Sequence, residues 1–344
     1  MTTIAGLGIR APGELLFIGH QATANGHSHM QMNRRDFLVA TCASASFPAL
    51  AESPKRKKKL FNISLAQWSL NRRFFKREMP HLDNLDFAKV ARGFGIDAIE
   101  YVNQMFFDKA KDEKYLAEMK KRAAGENVKS LLIMCDREGR LGDPDKARRR
   151  QAVENHFKWA DAAKFLGCHS IRVNAATDAK KTFEDQQKAA ADGLSQLEEY
   201  VGGKLGLNVI VENHGGLSSH GKWLAGVMKL ANNKRIGTLP DFGNFRVGQR
   251  GIDWYDRYQG VKELMPFAKA VSAKSHGFDS KRPFVTMGGG HETDFLKMMR
   301  IVLDAGYRGW VGIESGARGN QAEGVRLTKQ MLERCREKLS GEYE

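Results

Sequence analysis

Leu207-Asn208-Val209-Ile210-Val211-Glu212 is followed, beyond an amphipathic stretch over 222–231, by Ile236-Gly237-Thr238-Leu239-Pro240-Asp241. Each run is short, apolar or β-branched, and ends in a carboxylate, and the stretch between them has helical spacing. The segment therefore reads as strand, helix, strand. The same alternation continues outward in both directions with a period of roughly 25–45 residues. Upstream, strands are predicted at 61–69, 96–101, 128–135 and 169–174. Helices are expected near 83–93 and 112–124, then a long one ending at Leu166 and another over 183–201. Downstream, strands at 270–276 and 310–314 alternate with helices near 254–269, 293–305 and 321–338. Eight such units predict a (β/α)8 TIM barrel. A doubly wound sheet is the competing architecture, but no Gly-rich phosphate turn follows the first strand.

The chain has 344 residues, of which 42% are hydrophobic, enough for one large core. Its formal net charge of +15 raises the question of nucleic acid. Part of the excess sits in Lys55-Arg56-Lys57-Lys58-Lys59, which reads as a solvated linker, so no specific nucleic-acid partner is expected. No apolar run reaches the roughly 18 residues that span a bilayer. Cys42, Cys135, Cys168 and Cys335 fit no metal knuckle or disulfide framework.

Upstream of the linker, Asn33-Arg34-Arg35-Asp36-Phe37-Leu38 resembles a twin-arginine export motif. A modest apolar stretch and Ala49-Leu50-Ala51, an A-x-A cleavage pattern, follow it. The expected organisation is an extension and leader over 1–51, a basic linker over 52–59 and the barrel over 60–344, with export from the cytoplasm.

A TIM barrel gathers its chemistry at the C-terminal ends of its strands. Four late strands end in a metal-capable side chain: Glu212, Asp241, His276 and Glu314. A lone carboxylate there is usually a helix cap or a solvated loop residue, but four in succession on one face are harder to dismiss. Three carboxylates close together repel one another unless a cation neutralises them. One imidazole and three carboxylates make a hard, oxygen-rich site, suited to Mn²⁺ or Mg²⁺, with Zn²⁺ or Co²⁺ as substitutes.

Four runs carry a family resemblance. They are Val209-Ile210-Val211-Glu212-Asn213-His214-Gly215-Gly216, Leu239-Pro240-Asp241-Phe242-Gly243-Asn244, Ala273-Lys274-Ser275-His276-Gly277-Phe278-Asp279, and the run from Ala305-Gly306-Tyr307 to Glu314. Together they resemble the xylose-isomerase-like TIM-barrel superfamily, which contains ketose 3-epimerases, inosose-processing enzymes and the endonuclease-four class of DNA-repair enzymes. The resemblance covers about residues 60–338. It implies that Glu212, Asp241, His276 and Glu314 hold one divalent metal, and that Glu212 and Glu314 form the acid/base pair on opposite faces of a carbohydrate substrate. Two positions depart from the family pattern. Asn244 stands where a His is common, and Ser315-Gly316 stand where Tyr-Glu is common.

Secondary candidates surround this set. Glu100 and Asn174, at the ends of strands two and four, are candidates for substrate hydroxyls. His214 follows Glu212 by two residues and Lys274 precedes His276 by two, so each shares a face with its neighbour. Lys274 is a candidate donor to a substrate oxygen or phosphate. Trp68, with Gln67, is a candidate pocket wall, and His291-Glu292 after Gly288-Gly289-Gly290 reads as a lid or a helix cap. The expected activity is isomerase or epimerase chemistry on a keto-sugar, inosose or polyol, with elimination from a 3-keto-glycoside as its close variant. An abasic-site endonuclease needs several more histidines, and three of the ten here (His20, His27 and His29) precede the expected mature start. A metal-free sugar-binding barrel is disfavoured by the intact ligand pattern, and a homo-oligomer is compatible with the sequence.

Overall fold

The computed structural model describes residues 59–248, 253–288 and 291–343. The expected leader, and the linker up to Lys58, lie outside the described residues. In chain order the strands are β1 (Asn62–Ala66), β2 (Ala98–Val102), β3 (Lys129–Met134), β4 (Ser170–Val173), β5 (Asn208–Glu212), β6 (Ile236–Leu239) and β7 (Val271–Ser275). Three short strands follow, β8 (Gly277–Phe278), β9 (Val285–Gly288) and β10 (His291–Asp294), and then β11 (Trp310–Ser315). The helices are α1 (Asn71–Phe74), α2 (Phe87–Gly93), α3 (Glu113–Gly125), α4 (Lys146–Leu166), α5 (Phe183–Val201), α6 (Gly221–Ala231), α7 (Arg257–Leu264), α8 (Phe295–Asp304) and α9 (Gln321–Tyr343).

Eight strands pair in parallel in the order β6-β5-β4-β3-β2-β1-β11-β7. Bridges between Thr238 and Ala268 and between Asp241 and Ser272 bring β6 back to β7, so the sheet nearly closes into the expected barrel. Side-chain caps set the helix starts. Asp112, Asp145, Thr182, Asp256 and Asp294 each accept a backbone N–H from the first turn of α3, α4, α5, α7 and α8. Gly167 and Asn232 end α4 and α6 in the left-handed conformation.

Alternation along the strands divides the residues between two environments. Ile63, Leu65, Ile99, Tyr101, Ile133, Ile171, Val173, Val209, Val211, Val271, Ala273, Val311 and Ile313 belong to one cluster with the apolar faces of the helices. A smaller cluster of Ala66, Val102, Leu132, Met134, Ile210, Leu239 and Ala270 fills part of the interior. Several other inward positions are polar. Ser64 Oγ donates to Glu100 Oε1 at 2.6 Å across the β1–β2 pair. Gly312 lies opposite, and a Cβ there would stand 2.4 Å from the same Glu100 oxygen.

Several expected boundaries shift. The first strand ends at Ala66, and Gln67–Leu70 form a 3-10 turn in which Gln67 is buried. Gln67 donates to Asn84 Oδ1 and accepts the Val102 N–H, so it is a structural residue. The helix expected over 254–269 is confined to α7. The chain tightens into a 3-10 turn around Pro266, which lacks the N–H that would continue the ladder. His291 and Glu292, expected as a lid or a helix cap, belong to strand β10, which pairs antiparallel with β9, and Asp294 caps the helix that follows. Gly289 and Gly290 lie outside the described residues.

Gly312→Ala should destabilise the protein by about 2 kcal/mol through overpacking against the Glu100 carboxylate. Urea unfolding of Gly312→Ala, Glu100→Ala and the double variant checks this. A double variant less destabilised than the sum of the two single variants is the expected result, and strict additivity would count against it.

Candidate active site

At the C-terminal mouth, β5 ends in Glu212, the segment after β6 carries Asp241, and β11 carries Glu314. All three are buried, and one ligand oxygen from each lies within 4.8 Å of the others. Asn213 staples the first two segments together. Its amide oxygen accepts the Asp241 N–H at 2.7 Å, and its nitrogen donates to the carbonyls of Asp241 and Asn244. Asp241 Oδ1 accepts the N–H groups of Gly243 and Asn244, both at 2.8 Å, and Asp241 Oδ2 accepts Ser272 Oγ at 2.6 Å. Asn244 donates through Nδ2 to Glu212 Oε1 at 2.8 Å.

The fourth expected ligand does not join this group, which contains Glu212, Asp241 and Glu314 and not His276. The length of β7 gives the reason. Ser272 and Lys274 of β7 face inward, where Ser272 reaches Asp241 and Lys274 donates to Glu314 Oε1. His276 lies one pleat further on, roughly 6–7 Å along the chain direction, where β7 has already ended. Its N–H donates to Thr286 Oγ1 of β9 at 2.8 Å, and its ring sits beside Gly288 and Gly316.

Two residues missed at the sequence level complete the polar interior. Arg172 of β4 is buried, and its Nη1 donates to Asp136 Oδ1 at 2.9 Å. Its Nε approaches Glu212 Oε2 to 2.9 Å without hydrogen-bond alignment, so both buried atoms lack a directed partner. The orphaned Glu212 oxygen fits a cation or a substrate hydroxyl, because the triad supplies the negative, oxygen-only surroundings that either needs. The signal available in the sequence was a charge at an inward position of an otherwise apolar strand, Ser170-Ile171-Arg172-Val173.

Of the other expected residues, Glu100 lies in the barrel interior with one oxygen bonded to Ser64 and the other unpartnered. Asn174 is held by Asp136, which accepts its Nδ2 at 2.8 Å. His214 and His276 line one cavity of about 330 Å³ with Asn244, Arg246, Trp254 and Arg257. Trp68, expected as a pocket wall, packs half-buried against the interior apolar cluster. A second cavity of about 620 Å³, bounded by Thr177, Phe183 and Leu217, shares Gly215 and Arg246 with the first.

Electrostatics sort these groups. Burial opposes the charge on Lys274, yet Glu314, Asp241 and Glu212 together hold its ammonium well above the ordinary lysine value. Burial likewise opposes Arg172, and Asp136 and Glu212 override it. Glu212 and Asp241 are pushed up by burial, with Arg172 and Lys274 respectively pulling against it. Burial would raise Glu314 too, but Lys274 holds it below the usual carboxylate range. Burial raises Glu100 from 4.5 to about 7.

A profile of the xylose isomerase-like TIM barrel family matches residues 88–337. The chain belongs to that family. Among curated protein sequences none matches this chain. Solved structures share its fold. The apo 3-keto-D-glucoside 4-epimerase of E. coli superposes with a TM-score of 0.60 at 17% identity, covering 80% of this chain and 100% of that one. A xylose isomerase-like TIM-barrel protein from Mycobacterium smegmatis, in complex with magnesium, gives 0.58 at 14% identity over 81% and 98%. D-psicose 3-epimerase from Clostridium cellulolyticum H10, with D-tagatose, gives 0.58 at 12% identity over 80% and 99%. These likenesses show the barrel fold, and the buried acidic triad could hold a metal ion.

Glu100 binds its proton more tightly when folded than when unfolded. Its contribution to stability is therefore full below pH 4.5 and lost as the pH rises through about 7. Glu100→Gln keeps an acceptor for Ser64 and does not titrate. In chelator, it should gain up to about 3 kcal/mol over the wild type at pH 8 relative to pH 4. Urea unfolding at the two pH values measures this, and a difference that does not change with pH would place Glu100 at its ordinary value.

Proposed function

We propose that this protein is a divalent-metal-assisted isomerase or epimerase acting on a keto-sugar, inosose or related polyol. The observation that carries the reading is the convergence of three buried carboxylates from β5, the segment after β6, and β11 at the mouth of a family barrel. Glu212, Asp241 and Glu314 would hold the ion, with Mn²⁺ or Mg²⁺ favoured by the all-oxygen donor set and Zn²⁺ or Co²⁺ as substitutes. Bound there, the ion would supply the Lewis acidity that makes a C–H beside a carbonyl easier to ionise.

The chain's own residues would do the rest. Glu212 or Glu314 takes the proton from the carbon next to the carbonyl. The C–H electron pair becomes the C=C of an enediolate, and the carbonyl oxygen gains the charge. Return of a proton from the other glutamate, present as the carboxylic acid, to the opposite face inverts that carbon; return to the former carbonyl carbon, with the hydroxyl proton passing to the former carbonyl oxygen, isomerises the sugar. His214, His276, Asn244 and Trp254 would orient the ring in the smaller cavity. Trp68, Glu100 and Asn174 would contact it or support those contacts.

One observation favours a glycoside over a free sugar. The second cavity, adjoining through Gly215 and Arg246, leaves room for a substituent beyond the reacting ring. The same base could then eliminate that substituent from a 3-keto-glycoside.

Incubation with ketoses, inososes and 3-keto-glycosides in D2O with Mn²⁺, followed by ¹H NMR, tests the reading. Loss of a single C–H signal identifies exchange, and a released aglycone identifies elimination. Glu212→Gln should lower the rate at least about 100-fold, since general-base catalysis contributes that much or more. Activity within about tenfold of the wild type would remove Glu212 from the base role.

Export in a folded, metal-loaded state is part of the same proposal, supported by the Arg34-Arg35 motif and the Ala49-Leu50-Ala51 pattern. Replacing both arginines by lysine should trap the uncleaved precursor in the cytoplasm, and unchanged fractionation would end the leader reading.

A further inference from the structure

We propose that Lys274 is the resident cation of the acidic triad, and that its ammonium and a divalent ion compete for the same carboxylates. This deepens the proposed function and rests on the triad being a cation seat.

Four observations carry it. Lys274 is the register partner of Glu314 across the β7–β11 pair, and its Nζ donates to Glu314 Oε1. The side chain is only 11% exposed, so the contact is an interior one. Its stem is seated against Gly243, where a Cβ would stand 2.8 Å from Lys274 Cγ, and any side chain there would push the lysine aside. The expected imidazole ligand, His276, stands outside the group of three carboxylates, so β7 delivers an ammonium to the triad in place of a ligand.

Two cations cannot share this seat cheaply. Charges a few ångströms apart in a poorly screened interior repel strongly, and an oxygen already accepting N–H from an ammonium has less to offer a metal. A divalent ion that enters must therefore move Lys274 away from Glu314. Once displaced, the lysine can turn its ammonium toward the oxygens of a substrate in the adjoining cavity. The wild-type protein consequently holds divalent metal weakly, and removing the lysine charge makes the triad a better metal site.

The test is Mn²⁺ binding to the full chain after chelator treatment, read by the free-Mn²⁺ electron paramagnetic resonance signal and by calorimetry, without substrate. Lys274→Met should bind one Mn²⁺ roughly 10- to 100-fold more tightly than the wild type, the scale on which a neighbour of a metal site usually acts. Lys274→Arg, which keeps the charge, should stay as weak as the wild type, and adding Glu314→Gln to Lys274→Met should abolish the gain. If Lys274→Met does not fold alone, Mn²⁺ should raise its Tm further than it raises that of the wild type. A wild type that binds Mn²⁺ as tightly as Lys274→Met, or equal Tm shifts in the two proteins, would overturn the proposal. Sugar exchange is read separately by NMR. Exchange with equal metal affinities would sink this inference and leave the function standing, whereas the expected affinities without exchange on any sugar would do the reverse.

Discussion

Everything at the mouth of this barrel depends on neutralising carboxylates that have been taken out of water. Glu100, Glu212, Asp241 and Glu314 are buried, and Asp136 is half-buried beside them. Against them stand two cations, the buried Arg172 and the largely buried Lys274, each touching a member of the acidic group. Removing one partner from such a set leaves an uncompensated buried charge, which typically costs about 3–5 kcal/mol. The arrangement is thus constrained as a unit. Ser64 and Ser272 serve as short donors, Gly312 leaves space for the Glu100 carboxylate, and Gly243 leaves space for the stem of Lys274. Small residues stand where the charged ones need room.

The barrel can bear this interior because its stability is built elsewhere. Alternate strand residues pack outward against the helices in one large apolar cluster, while the inward cluster is small and lies among the charged residues. The parallel ladder then holds each strand end at a fixed height. Glu314 lies level with Lys274 and Asp241 level with Ser272, so β7 serves two acidic neighbours at successive inward positions. The charged residues sit on a frame whose large apolar cluster they do not belong to. Burial pushes Glu100, Glu212 and Asp241 toward their neutral forms, and a divalent ion beside them would favour the ionised ones.

The sequence by itself determined the barrel. Short apolar runs alternating with capped amphipathic stretches leave few other ways to bury both faces of a parallel sheet, and the outward faces of the strands follow from that pattern. It also determined Glu212, Asp241 and Glu314, because a carboxylate ending an apolar run lies at the mouth wherever the strand happens to start. Local signals misplaced the ends of the first strand and of α7, and they missed the β8–β9–β10 sheet, whose pairing joins residues that are only weakly strand-like on their own. Only the tertiary structure decided which residue of Lys274-Ser275-His276 meets the triad. Both Lys274 and His276 have the inward parity, so the choice turns on how far β7 runs before its partner strand stops. The same holds for Arg172 and Asp136, whose pairing joins β4 to the loop after β3. Burial of a charge can be suspected from one strand, but its partner comes from another, and only the closed barrel sets the distance between them.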